Sequence, residues 1–299
     1  MTRRRPVAPL LGAGLILGAG LLPLASADTA SERPATPLAA VRDGKPMRLT
    51  YELKASAWAF ILPVTGRARF TADLHPDTYR ITSSVKTTGL ADILVNYDLG
   101  LSATGYVRED RLDTYAYVSQ NDDGNKNRRV ELVYGESDVA AVVKPAFGDL
   151  GDPPARPDQK LEALDPITAL ISFGLEPRDP DGDPCGGPIK VFDGRQLSHL
   201  HLKFQGMKTV RSGSWAGEAI ECHIELERVA GFDSDEMNRE TLAGIDGPLR
   251  MWLAPLGNGA TIPVRIEADT DAIGKVVLQA SQLKFEPIVA QEAAVPGGG

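Results

Sequence analysis

The histidine pattern is the first chemistry to weigh. His199 and His201 stand two residues apart, and His223 and Glu225 repeat that spacing further along the chain. Side chains two apart share a face of an extended strand, so Leu200, Leu202 and Phe204 lie opposite the first pair, and Cys222, Ile224 and Leu226 opposite the second. A hairpin turning near Lys208 to Gly213 would pair position 199 near 220 and 201 near 218, leaving His223 diagonal to both and too far to share an ion. Zinc hydrolysis needs three or four converging ligands supported by further hydrogen bonds. These residues therefore read as solvated histidines on a polar face, with no metal site assigned. A metal-dependent hydrolase built on His199, His201 and His223 is the alternative.

Other reactive patterns are incomplete. Cys222 and His223 put a thiol next to an imidazole, but neighbours in a strand point to opposite faces and cannot work together. Asp179, Asp181 and Asp183 alternate around Gly182 like part of a calcium loop, yet the later glutamate that completes such a loop is missing. The mature chain has no Gly-x-Ser-x-Gly elbow, no His-Glu-x-x-His pair and no phosphate-cradling glycine motif. No catalytic residue and no cofactor are assigned, and a non-enzymatic protein is the expectation.

The segment Ala57-Trp58-Ala59-Phe60-Ile61-Leu62-Pro63-Val64 is apolar on both faces, unlike the alternating strands around it. Buried on one side only, it would leave Trp58, Phe60 and Leu62 for a lipid-like ligand or a partner. The competing reading is coverage of that run by a helix or a second layer of strands.

The elements that must carry these residues are mostly strands. Leu49, Tyr51 and Leu53 alternate with Thr50, Glu52 and Lys54, and Tyr79, Ile81 and Val85 alternate with Arg80, Thr82 and Lys86. This period of two continues through Phe285, broken by short turn clusters such as Gly135-Glu136-Ser137, which favours antiparallel hairpins. One helix interrupts them: Asp165 is placed to cap it, Pro166 suits its first turn, and Ile167, Leu170 and Ile171 share a face before Gly174. A shorter helical turn is expected over 89–95. The fold class is all-β: an antiparallel rolled sheet, spiral or open barrel with one or two short covering helices. Two packed β domains are the runner-up.

Three arginines, an apolar run to Leu24 and Ala25-Ser26-Ala27 make residues 1–27 a cleavable export signal. A flexible lead over 28–45, a single β-barrel-like domain over 46–286 and a disordered tail over 287–299 follow. The net charge is −8; removing Arg3, Arg4 and Arg5 with the signal leaves 29 basic against 40 acidic residues, or −11. That balance repels phosphate backbones, so nucleic acid is not an expected partner. No segment after the signal is long and apolar enough to span a membrane as a helix. Cys185 and Cys222, the only cysteines, are expected to pair in an oxidising compartment; two buried thiols or a redox pair are the alternatives.

Asp165-Pro166-Ile167-Thr168-Ala169-Leu170, then Cys185-Gly186-Gly187 leading into Val191-Phe192-Asp193-Gly194, and finally Trp252-Leu253-Ala254 with Pro263-Val264-Arg265-Ile266, carry a resemblance. Together they resemble the domain-of-unknown-function 3108 family of exported proteobacterial proteins, over roughly Met47 to Phe285. The resemblance implies a periplasmic β-rich protein with no assigned catalytic residues. The chain is also broadly similar in architecture to exported cell-envelope integrity proteins with a spiral or nearly closed β-barrel and one disulfide. The expected function is a non-enzymatic periplasmic protein supporting envelope integrity, holding a lipid-like or peptidoglycan-related ligand in the concave face of the sheet.

Overall fold

A computed structural model describes residues 36–59, 62–88, 98–122, 127–179, 181–234, 245–270 and 274–289, without the side chains of 58, 59, 62 and 245–248. The segment expected to be an export signal, the helical turn expected over 89–95 and the end of the tail lie outside these residues.

The alternating segments form strands β1 (Met47–Ala59), β2 (Leu62–Leu74), β3 (Thr78–Thr88), β4 (Asp98–Val107), β5 (Leu112–Asn121), β6 (Arg128–Tyr134) and β7 (Val139–Lys144). After two helices come β8 (Ile189–Phe192), β9 (Leu197–Arg211), β10 (Ala216–Ala230), β11 (Ile245–Pro255), β12 (Thr261–Thr270) and β13 (Gly274–Pro287). All thirteen join one antiparallel sheet in the order β7-β6-β5-β4-β3-β2-β1-β13-β12-β11-β10-β9-β8, not closed into a barrel. The first and last strands pair at its centre, uniting what could have been two β domains.

Three short helices occur among the described residues: α1 (Pro37–Arg42), α2 (Pro157–Leu161) and α3 (Pro166–Leu175). The start of α3 is set by Asp165, whose buried carboxylate accepts from the N–H of Ile167 at 3.2 Å and of Thr168 at 3.0 Å. Eight of its ten residues are buried, which places this helix inside the curled sheet rather than over an opening. It packs against β3, β4 and β5 from one half of the sheet and β8 and β12 from the other. Burial of side chains such as Ile171 and Leu175 contributes about 1.5–3 kcal/mol each to closing the sheet around it.

The lead requires a correction. The flexible segment expected over 28–45 is structured from Thr36: its hydroxyl caps α1 through Ala39 N–H at 3.2 Å, and Leu38 and Val41 are fully buried. Pro37, Leu38 and Val41 are its buried residues and seat it against the sheet. The domain also continues past its expected end at 286, for Ile288 N–H bonds Pro46 O at 2.9 Å.

Candidate functional site

The concave face is not filled along its whole length. Leu53, Ala68 and Ala280 are buried and mark the end of the packed interior on β1, β2 and β13. Beyond them a cleft of about 240 Å³ opens, walled by Leu53, Ala55 and Ala57 of β1, Val64, Gly66 and Ala68 of β2, Val85 of β3, and Val276 and Leu278 of β13. These residues alternate with outward polar ones, so the apolar wall follows from the pleat. The space itself comes from small side chains: three alanines and a glycine occupy positions where larger residues would have completed the core. Adding a Cβ at Gly66 would bring it to 3.2 Å from Lys86 O, so the wall is already tight against β3 there.

Helix α3 cannot reach this end. Tyr79, whose hydroxyl pairs with Thr168 at 2.9 Å, lies six residues along β3 from Val85, about 20 Å at strand spacing. The rim is polar, with Ser56, Thr65 and Thr87, and its cations already have partners: Arg67 faces Glu52 at 3.6 Å and Lys86 bonds Asp98 at 2.7 Å. The arrangement can hold one slender apolar chain with a polar end at the rim; its size is below the roughly 300–1,000 Å³ of sites for drug-sized molecules.

Of the residues expected to line a ligand site, Trp58 pairs with Pro63 and Leu62 with Ala59 through their backbones where β1 turns into β2. The side chains of Trp58 and Leu62, and the whole of Phe60, lie outside the described residues. The cleft adjoins this segment and takes Ala57 and Val64 from its two ends, while the rest of its described walls come from neighbouring strand positions outside the run.

A larger cleft of about 560 Å³ follows β7, the first edge strand of the sheet, beside Phe192. Its charged lining is engaged: Lys160 pairs with Asp138, and Arg195 with Asp149 and Asp233.

The histidines are arranged differently from expectation. The β9–β10 turn lies at Ser212–Trp215, where Ser212 N–H bonds Trp215 O at 2.7 Å. Gly206, with φ +124°, marks a bulge within β9. The register consequently places His199 opposite Glu227, His201 opposite Glu225 and His223 opposite Lys203. Glu227 Oε2 stands 2.6 Å from His201 Nε2 and 3.3 Å from His199 Nδ1. The hydrogen bond from His201 holds the Glu227 carboxyl below the usual glutamate range, against an upward push from desolvation. His223 is not in this group; its nearest acidic partner is Glu221 at 3.8 Å.

Asp179 and Asp183 spend their carboxylates on the local backbone, accepting from Asp181 N–H and Cys185 N–H. The loop does not gather them into a metal-ligating cluster. Cys185 and Cys222 form a disulfide, with Cα atoms 5.9 Å apart, tying this loop to β10. Asp193 holds the turn between β8 and β9: it accepts from Arg195 N–H and Gln196 N–H, and Phe192 pairs with Leu197.

The family model for a protein of unknown function, DUF3108, matches residues 49–281. The chain belongs to the DUF3108 family. No curated protein sequence matches it. Among solved structures, the DUF3108 chain is similar to a β-barrel-like DUF1849 protein from Brucella abortus at 12% identity and TM-score 0.49, covering 81% of this chain and 98% of that one. A DUF1329 protein from Desulfovibrio piger is matched at 11% identity and TM-score 0.26, over 83% and 90% of the two chains.

Proposed function

We propose that this DUF3108 protein is a non-enzymatic periplasmic protein that supports the cell envelope by holding a lipid-like apolar chain in the cleft between β1, β2, β3 and β13. The observation that carries this reading is the unfilled apolar end of the concave face, walled by Ala55, Ala57, Val85 and Leu278. An empty apolar concavity forgoes packing contacts that a ligand chain would restore. The amino-terminal pattern supports export, and a disulfide is compatible with an oxidising compartment.

Titration with an environment-sensitive fluorescent fatty acid tests it. Wild type binds the probe, and Leu278→Asp, which places a charge against the cleft, weakens binding at least tenfold, about 1.4 kcal/mol. A folded Leu278→Asp protein that binds as wild type does would refute the site. A wild type that binds no apolar probe would refute the function.

A further inference from the structure

We propose that His199, His201 and Glu227 form a site for one divalent transition-metal ion of the zinc type, on the outer face of the β9–β10 hairpin. It is separate from the apolar cleft and does not depend on it.

The candidate ligand atoms, one from each side chain, all lie within 4.8 Å of one another. Zinc binds imidazole nitrogen at about 2.0–2.1 Å and carboxylate oxygen at about 2.0–2.2 Å, so ligand atoms around one ion stand no more than about 4.3 Å apart. The 3.3 Å between His199 Nδ1 and Glu227 Oε2 already meets this. The 2.6 Å contact to His201 Nε2 is a hydrogen bond that the ion would replace. Two imidazoles and a carboxylate select zinc, copper, nickel or cobalt over magnesium and calcium. Three protein ligands leave a further position for water or a partner's side chain.

The site differs from histidines scattered on a solvated face in three respects. Its ligands stand on two strands that pair continuously through the site, with β8 paired beside His199, so the backbone is held there. The disulfide at Cys222 pins β10 five residues from Glu227. Neighbouring lysines are neutralised elsewhere: Lys190, opposite His199 on β8, bonds Glu162 at 2.7 Å, and Lys203 bonds Glu225 at 2.7 Å. The Glu227 carboxylate is thereby left to the two histidines.

Isothermal titration of the mature chain with zinc chloride tests the assignment. One ion binds per chain; His201→Asn and Glu227→Gln each weaken it at least tenfold, and His223→Asn leaves it unchanged. Thermal melts of the variants in metal-free buffer match wild type, because all three side chains are on the surface. Absence of binding at about 0.1 mM zinc, an affinity weaker than about 5.5 kcal/mol, overturns the proposal. So does wild-type affinity in both ligand variants, or loss of binding in His223→Asn.

Discussion

Ala55 of β1 stands opposite Leu278 of β13, and at this pair the interior of the curled sheet stops being filled. One step back along the same face, Leu53 opposite Ala280 is fully packed. The boundary between core and cleft is thus set by two successive cross-strand pairs.

Enlarging Ala57 should close the cleft. Its side chain is buried in the wall, and Ala57→Phe places a ring where an apolar chain would lie. Acyl-probe affinity is expected to fall at least tenfold while the urea midpoint changes little, because the ring occupies space that the wild type leaves open. A large loss of stability with binding intact would show that the space is not available.

The disulfide closes a loop of 37 residues between Cys185 and Cys222. On the chain-entropy account this contributes about 4 kcal/mol. The double variant Cys185→Ala/Cys222→Ala should therefore unfold at markedly lower urea concentration. A midpoint shift equivalent to less than about 1 kcal/mol would mean that the packing around α3 alone fixes this region.

Asp165 is fully buried and accepts three hydrogen bonds, the third from Thr114 Oγ1 at 2.7 Å. Asp165→Ala leaves those donors unpaired inside the sheet, and a loss of about 2–4 kcal/mol is expected in denaturant titrations. Asp165→Asn keeps an acceptor for the helix N–H groups and should cost less.

Glu52 and Glu267 give the protein a distinct acid response. Burial pushes both carboxyls up, but Arg69, Ser281 and Arg67 around Glu52, and Arg265 and Lys275 around Glu267, outweigh it and hold them below the usual glutamate range. A carboxyl lowered on folding stabilises fully above its unfolded value, and that stabilisation is lost as pH falls through the folded one. Wild type should therefore exceed Glu52→Gln in stability by about 1–2 kcal/mol at neutral pH. The difference should vanish in acid. Comparing the two proteins across pH cancels the opposite trend of Asp165 and Asp193, whose carboxyls burial raises.

Much of the fold was legible because strand alternation and the Asp165-Pro166 cap are local signals, and the strands from Leu49 to Phe285 follow them. The path of α1 was not, since Leu38 and Val41 acquire meaning only through the sheet they meet. For the histidines, face assignment needed only periodicity, but partner choice needed the turn. The turn expected over 208–213 lies instead at Ser212–Trp215, and a bulge at Gly206 shifts the register by one more residue. Together these move the partner of His199 from near 220 to Glu227. The alternation of His223 and Glu225 was read from the sequence, but Glu227, two residues further on the same face, acquires its meaning only from the register that sets it opposite His199. The cleft was legible only in part: Ala57 lies in the apolar run offered for a ligand, but Ala55, Gly66 and Ala68 carry no such signal, and only their alignment across two strands shows that together they leave space.

Native mass spectrometry of the protein, purified gently and repeated after organic extraction, tests the central claim most directly. A chain carrying one apolar molecule that solvent releases, and that is absent from Leu278→Asp, is the predicted result. A wild-type chain that arrives empty and gains no mass when incubated with long-chain fatty acids would contradict the account.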